Sequence, residues 1–304
     1  EQAMALEKHD PVMLQEVLEV LPLESGGVAV DGTLGLAGHA KEFARRVSPG
    51  GKLVGTDWDE SMLAIARERL MEVEGVEKIL IHADYRGLAE ALNERGLEAD
   101  GILLDLGLNS AQIEDSERGI AFKEAGPLDM RMDRSSGEPA SSMLNRMSLD
   151  QIEQILWEYG DERWARAIAR KIVERRKDEP LRTTQDLVDC VLAAIPVKAR
   201  DKRIHPATRT FQAVRIAVNR ELEDLEETFV EIAGCLKPGG VMAVLSYHSG
   251  EDRAIKRASK ELIEDGFEEL FKKPKTPTAE EIARNPRSRS AKLRAVRRIE
   301  RETS

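Results

Sequence analysis

The sequence predicts a doubly wound, mostly parallel α/β sheet interrupted by an all-α insertion. Short apolar runs alternate with helical patterns through the first third of the chain, the order that builds parallel strands with crossover helices. Asp100-Gly101-Ile102-Leu103-Leu104-Asp105-Leu106 is apolar along most of its length, as a strand covered on both faces must be. From about Ile113 to Asn219 no convincing strand pattern occurs, and then the alternation resumes. The expected division is a first segment 1–112, an inserted helical domain 113–219 and a closing segment 220–304.

Each element has a local reason. A first amphipathic helix follows His9-Asp10-Pro11-Val12-Met13 and runs to about Leu21, where Pro22 stops it. Val28–Asp31 reads as a strand and Gly38–Val47 as a helix, terminated by Pro49-Gly50-Gly51. A strand at 52–57 precedes a helix at about 59–72, in which Met62, Ile65, Ala66 and Leu70 share one face. Lys78–His82 is expected as a third strand and 86–95 as a helix. Inside the insertion, Leu149–Trp157 and Asp161–Arg176 have helical spacing, with further helices near 183–194 and 206–219. Ser148 and Thr184 are the expected caps, and Trp157 and Trp164, at i and i+7, are expected in the insertion's core. A helix at about 220–236, the turn Lys237-Pro238-Gly239-Gly240 and the strand Val241–Tyr247 follow. The chain closes with a helix at 250–264 and strands near Phe267–Phe271 and 292–299, separated by the polar, proline-marked segment 274–290. There is no internal repeat.

Composition narrows the class. Hydrophobic residues at 41%, charged residues at 34% and a mean hydropathy of -0.41 fit a soluble globular protein. No apolar run approaches the roughly 18 residues a membrane span needs, and no basic-then-apolar leader is present. Cys190 and Cys235 are too few for a disulfide framework and lack metal-ligand spacing. A cytoplasmic protein with no membrane partner and no metal site is expected. The net charge of -10 hides a segregation: residues 161–220 hold 15 Lys/Arg against 8 Asp/Glu, and residues 272–301 hold 11 against 3. A local basic surface on an acidic body suits nucleic-acid contact; solvated helix faces are the alternative.

The chemistry-bearing stretch is Val28-Ala29-Val30-Asp31-Gly32-Thr33-Leu34-Gly35-Leu36-Ala37-Gly38-His39. A buried strand delivers a glycine turn to a helix N-terminus, where backbone can approach a ligand closely. Asp57 ends the next strand, where it can accept two ribose hydroxyls. A nucleoside-containing cofactor is implied, and three details favour S-adenosyl-L-methionine. Asp31 stands where a carboxylate can hold the methionine ammonium and would repel a pyrophosphate. The glycines run Gly32-x-x-Gly35-x-x-Gly38, so the G-x-G-x-x-G dinucleotide fingerprint fails. Ala83-Asp84-Tyr85 follows the third strand, offering an acid for the adenine amino group and a ring to stack on the base. A turn that only packs helix on strand is the alternative. Asp105 ends the fourth strand at the mouth of the sheet, near the transferable methyl. With Asn109 and Ser110 it supplies the polar groups that can orient an acceptor amine.

These residues resemble the bacterial 16S rRNA (cytosine-N4)-methyltransferase family of the MraW/RsmH type. The resemblance is carried by Asp31-Gly32-Thr33 with Gly38-His39, by Leu103-Leu104-Asp105-Leu106-Gly107, and by Glu117-Arg118-Gly119. It continues in Gly126-Pro127-Leu128-Asp129-Met130-Arg131-Met132-Asp133 and in His205-Pro206-Ala207-Thr208-Arg209-Thr210-Phe211-Gln212-Ala213-Val214-Arg215. Ser246-Tyr247-His248-Ser249 with Glu251-Asp252-Arg253, and Asn285-Pro286-Arg287-Ser288-Arg289-Ser290, complete it. It implies a class I, Rossmann-like methyltransferase that methylates N4 of a cytosine in the decoding region of small-subunit rRNA, in an assembled or assembling subunit. Homodimerisation is left open. Cofactor contacts carry over to Ala37, Gly38, His39, Asp57, Tyr85, Asp105 and Gln112. Ala37 stands where the family commonly has glycine, and Tyr85 where it has phenylalanine. Leu108-Asn109-Ser110-Ala111 replaces a usual valine, two serines and proline, and Gly250 replaces a usual leucine.

The RNA reading also has its own residues. Arg163, Arg166 and Arg170 lie at i, i+3 and i+7, set for phosphate contacts or for salt bridges with Glu162 and Glu174. Arg200, Lys202, Arg203, His205 and Arg209 form a denser cluster that favours RNA. Arg131, with Asp129 and Arg134, is either a substrate clamp or an internal hub. Arg215 and His248 complete the substrate-binding set, His248 alternatively serving as a loop hydrogen-bond donor. A DNA cytosine-N4 methyltransferase is disfavoured because Asp105-Leu106-Gly107-Leu108 lacks the Ser/Asp-Pro-Pro-aromatic motif. A non-catalytic assembly factor that binds the cofactor structurally is the remaining alternative.

Overall fold

Strand β1 (Val28–Asp31) is buried at every position, so it must lie inside a sheet with both faces covered. A computed structural model of the chain, describing residues 10–107, 119–121 and 125–300, shows how. β1 pairs in parallel with β2 (Lys52–Asp57) on one side and β4 (Ala99–Asp105) on the other. β3 (Glu77–His82) continues the sheet beyond β2, and β5 (Leu236–Ser246) continues it beyond β4. β7 (Lys292–Arg298) then runs antiparallel between β5 and β6 (Phe267–Glu269). Among the described residues the order is β3-β2-β1-β4-β5-β7-β6, so the winding reverses between β1 and β4. That reversal opens a crevice at the carboxyl ends of the two strands, where open α/β sheets take their ligands.

Helix α1 (Leu14–Val20) and helix α2 (Gly38–Val47) share one core with the sheet. In α2, Ala40, Phe43, Ala44 and Val47 are fully buried at i, i+3, i+4 and i+7, which presses the helix onto β1 and β2. α3 (Glu60–Leu70) and α4 (Leu88–Glu94) follow β2 and β3. The sheet resumes after α10 (Leu225–Ala233), which packs on α11 (Ser249–Glu264); a short α12 (Ala279–Arg284) lies between β6 and β7.

The described residues form two compact units, dividing after Gly107 and again after Glu223. The second unit holds α5 (Ala140–Arg146), α6 (Leu149–Gly160), α7 (Ala165–Asp178), α8 (Thr184–Ala194) and α9 (Thr208–Asn219). Leu144, Ile152, Leu156, Ile168, Ile172 and Val214 fill its core, and among its described residues β pairing is limited to the isolated bridge between Pro127 and Thr183. Asn219 ties the loop before α5 to the end of α9: its Oδ1 accepts from Met132 N and its Nδ2 donates to Met130 O, both at 2.8 Å.

Several local expectations are corrected. Thr183, not Thr184, caps α8: Thr183 Oγ1 accepts from Asp186 N while Asp186 accepts in return from Thr183 N, and Thr184 Oγ1 accepts instead from Gly126 N. Trp157 is 61% exposed, because the buried face of α6 runs through Ile152, Leu156 and Gly160 and the next position rotates into solvent. Trp164 packs half-buried against the core as expected. The helix expected at 220–236 begins only at Leu225, since Arg220 and Asp224 both take left-handed backbone. The turn 237–240 is absorbed into β5, which reaches back to pair Leu236 with Ala99 across a register shift.

Phe43→Ala removes the largest fully buried side chain behind the β1–α2 turn. It is expected to cost about 3–5 kcal/mol of unfolding free energy, measured by denaturant titration.

Candidate active site

Strand register gathers three carboxylates. Asp31 pairs with Gly55 on β2 and with Leu103 on β4. Two residues further along each neighbour come Asp57 and Asp105, and a step of two returns a side chain to the same face of the sheet. The three acids therefore flank one another at the carboxyl ends of β2, β1 and β4. Burial pushes the Asp31 carboxyl up to about 7, and the charges of Asp105 and Asp57 push the same way, against a lowering hydrogen bond from Thr33 N. Burial also raises the Asp57 carboxyl, although Gly35 N donates to its Oδ2 and Asp59 N to its Oδ1, each at 2.8 Å. Asp105 donates its backbone N–H to Thr33 Oγ1 at 2.7 Å. Its Oδ1 accepts from Tyr247 Oη at 2.8 Å and from Gly107 N at 3.2 Å.

The turn between β1 and α2 sits beside these acids. Leu34 N donates to Thr56 O, tying the turn to β2, and Ala37 caps α2 in left-handed backbone with φ of 59°. That conformation costs an alanine roughly 1–2 kcal/mol, which glycine, common at this position in the resembling family, avoids. Gly38 lies against Pro11, where an added Cβ would sit 3.2 Å from the ring. His39 is buried, its Nε2 is 2.9 Å from Val12 O, and its Nδ1 is 4.0 Å from Asp105 Oδ2. Desolvation lowers its pKa, so the neutral ring is favoured. Tyr85 opens a short turn after β3, with the Arg86 guanidinium 5.6 Å from its ring centroid; Asp84 accepts from Arg86 N.

Asp31, Ala37, Gly38, His39, Asp57 and Asp105 are thus brought to one end of the sheet, with Tyr85 just past β3. Asn109, Ser110 and Gln112 lie outside the described residues. His248 caps α11, its Nδ1 accepting from Glu251 N and its Nε2 3.2 Å from Glu251 Oε1. Arg131 is an internal hub: its guanidinium engages both Asp129 oxygens at 2.7 and 3.0 Å and the carbonyls of Arg134, Ser136 and Gly137. Arg215 is bidentate on Glu221 at 2.8 and 2.9 Å. Arg203, His205 and Arg209 are exposed, the side chain of Arg203 to 89%. Arg166 pairs with Glu153, a salt bridge of the alternative kind but to another acid, and Glu162 accepts from Trp164 N.

Two side chains that were not singled out from the sequence join this region. Tyr247 reaches Asp105, and an aromatic directly after an apolar strand in a chain with only 3 tyrosines was the available signal. Glu281 is buried and accepts from Met13 N at 2.7 Å, holding the segment before α1; Thr278, three residues earlier, was its helix-start signal.

A family model described as the MraW methylase family matches residues 6–299. The chain belongs to that family. Curated relatives named Ribosomal RNA small subunit methyltransferase H include one from Geobacter sp. (strain M21), 47% identical, covering 96% of this chain and 98% of its own length. One from Geotalea uraniireducens (strain Rf4) is 44% identical over the same shares, and one from Coxiella burnetii (strain RSA 493 / Nine Mile phase I) is 40% identical, covering 97% of this chain and 100% of its own. The cofactor of this MraW-family methylase is S-adenosyl-L-methionine. The donor set fits it: three neighbouring carboxylates, two with pKa raised by burial, favour a ligand bearing an ammonium and a sulfonium. No helix among the described residues is long and apolar enough to cross a membrane.

In the ligand-free methylase, the folded state holds a proton on Asp31 that the unfolded chain releases near the ordinary carboxyl value of 3.8. Stability from this group is full below pH 3.8 and declines as pH rises through about 7. Asp31→Asn is expected to remove that slope, worth at most about 4 kcal/mol, when unfolding free energies of the two proteins are compared from pH 4 to 8.

Proposed function

We propose that this chain is a small-subunit rRNA methyltransferase that methylates the N4 amino group of a cytosine in the decoding region of 16S rRNA, working in the cytoplasm on an assembled or assembling subunit. The names of its relatives support the RNA class. The observation that carries the reaction is Asp105, whose carboxylate stands beside the cofactor acids and is held by Tyr247 and Gly107.

In this reading Asp31 takes the cofactor ammonium, Asp57 the ribose hydroxyls, and Tyr85 the adenine face. Ala37, Gly38 and His39 line the turn, and Gln112 completes the cofactor contacts. When bound, the cofactor supplies a methyl group made electrophilic by its sulfonium. A cytosine amine is a poor nucleophile, because its lone pair is delocalised into the ring. Asp105, with Asn109 and Ser110, accepts its N–H groups, turning the lone pair toward the methyl and stabilising positive charge as the N–C bond forms. As that bond forms the methyl–sulfur bond breaks, leaving a neutral thioether, and the extra proton on nitrogen passes to water. Arg203, His205 and Arg209 supply exposed contacts to RNA phosphates. Arg131 and Arg215 serve the substrate unit through their internal pairs, and His248 serves the sheet unit through its cap beside Tyr247.

Radiolabelled cofactor incubated with small subunits lacking the modification should yield label in N4-methylcytosine; label in 5-methylcytosine or in DNA refutes the assignment. Asp105→Ala is expected to lower transfer at least about 100-fold and to weaken cofactor binding, measured by single-turnover kinetics and calorimetry. Because only ionised Asp31 attracts the ammonium, cofactor affinity should fall by up to about tenfold per pH unit as pH drops below 7, and Asp31→Asn should bind weakly with no such dependence.

A further inference from the structure

A carboxylate that must hold an amine N–H along one line needs its own torsion fixed. The terminal torsion of aspartate is broad, so backbone placement alone leaves the two oxygens free to swing. Asp105 Oδ1 receives Gly107 N at 3.2 Å and the phenol of Tyr247 at 2.8 Å, and the shorter bond comes from outside its own turn. Leu245 is the register partner of Asp105 on β5, and Tyr247 stands two residues past it on the same pleat. The backbone N–H of Tyr247 donates to Glu251 Oε2 at 2.7 Å, and Glu251 is buried in the first turn of α11. Gly107 makes room for the ring: a Cβ there would stand 2.6 Å from Tyr247 Cε2 and 2.8 Å from Cζ. Ring, strand and helix start therefore fix one hydroxyl on one carboxylate oxygen.

We propose that Tyr247 is a positioning residue for methyl transfer, fixing the Asp105 carboxylate through its phenol hydroxyl; this rests on the reading of Asp105 given above. Burial and the Asp105 charge hold the phenol well above its usual value, so it stays a neutral donor and does not take the amine's proton. Its contribution is geometric. A displacement of the acceptor-orienting group by about 1 Å is enough to cost on the order of 100-fold in rate.

The test compares Tyr247→Phe, Tyr247→Ala, Gly107→Ala and Asp105→Ala in the full chain, using labelled cofactor and small subunits lacking the modification. Tyr247→Phe keeps the ring and loses only the hydroxyl. It is expected to lower kcat by about 10- to 100-fold, with KM for the subunit and Kd for the cofactor within about threefold of the parent and an unchanged unfolding midpoint. Gly107→Ala keeps the hydroxyl but displaces the ring, and should lower kcat in the same range; it decides the matter where Tyr247→Phe does not fold. A purely structural role predicts the opposite split, with Tyr247→Phe fully active and only Tyr247→Ala impaired, and that result overturns the proposal while an inert Asp105→Ala leaves the Asp105 reading standing. Loss of cofactor affinity with kcat intact in Tyr247→Phe also overturns it. Normal turnover by Asp105→Ala overturns both.

Discussion

Three carboxylates brought together by strand register carry more negative charge than a buried site tolerates without compensation. Asp31 is 1% exposed, and its neighbours' charges add to a desolvation that already favours the protonated form. Hydrogen bonds from Thr33, Gly35, Asp59, Gly107 and Tyr247 relieve part of this, since each donor replaces a water the carboxylates have lost. None of those donors is a cation. A cofactor carrying an ammonium and a sulfonium brings the positive charge that this acidic crevice favours. Affinity and ligand-free instability have the same origin.

That acidic crevice explains features otherwise unrelated. The β1–α2 turn must bring backbone close to the acids, and it does so with left-handed conformations at Gly35 and Ala37. Pro11 against Gly38, His39 on Val12 O and Glu281 on Met13 N pin the segment before α1 over the turn. A buried glutamate from α12 thus fixes backbone near the start of the chain, and this coupling spans 268 positions in sequence. The C-terminal stretch has a structural part in the site, separate from its basic charge.

The sheet, its topological switch and the acids were legible because each has a local cause. An apolar run makes a buried strand, a glycine turn demands special backbone, and acids at strand ends fall at the ligand crevice by topology. Thr183 was missed in favour of Thr184 because both are threonines one position apart, and only the reciprocal bond with Asp186 separates them. Trp157 was misplaced because residue type outweighed helical phase: one position past Leu156 is about 100° around the helix, enough to leave the core. The roles of Tyr247 and Glu281 were not legible for another reason. Their importance lies in partners 142 and 268 residues away, and no local pattern encodes that pairing.

The arginines show where counting charge fails. The insertion is rich in Lys/Arg, which at sequence level reads as a phosphate-binding surface. Several of those cations are already committed. Arg215 is bidentate on Glu221, Arg166 holds Glu153, Arg175 pairs with Asp186, and Arg200 donates to the carbonyls of Ile195 and Leu192 at the end of α8. Arg131, outside the densest run, is equally engaged. An arginine held by a carboxylate presents a nearly neutral pair at a distance, so it adds little to a long-range field. Even Arg203, whose side chain is 89% exposed, stands 3.5 Å from Asp201 Oδ1, so under the proposed function the salt dependence of RNA binding should reflect few contacts and not the net charge. The paired arginines instead fix the shape of the unit that carries them.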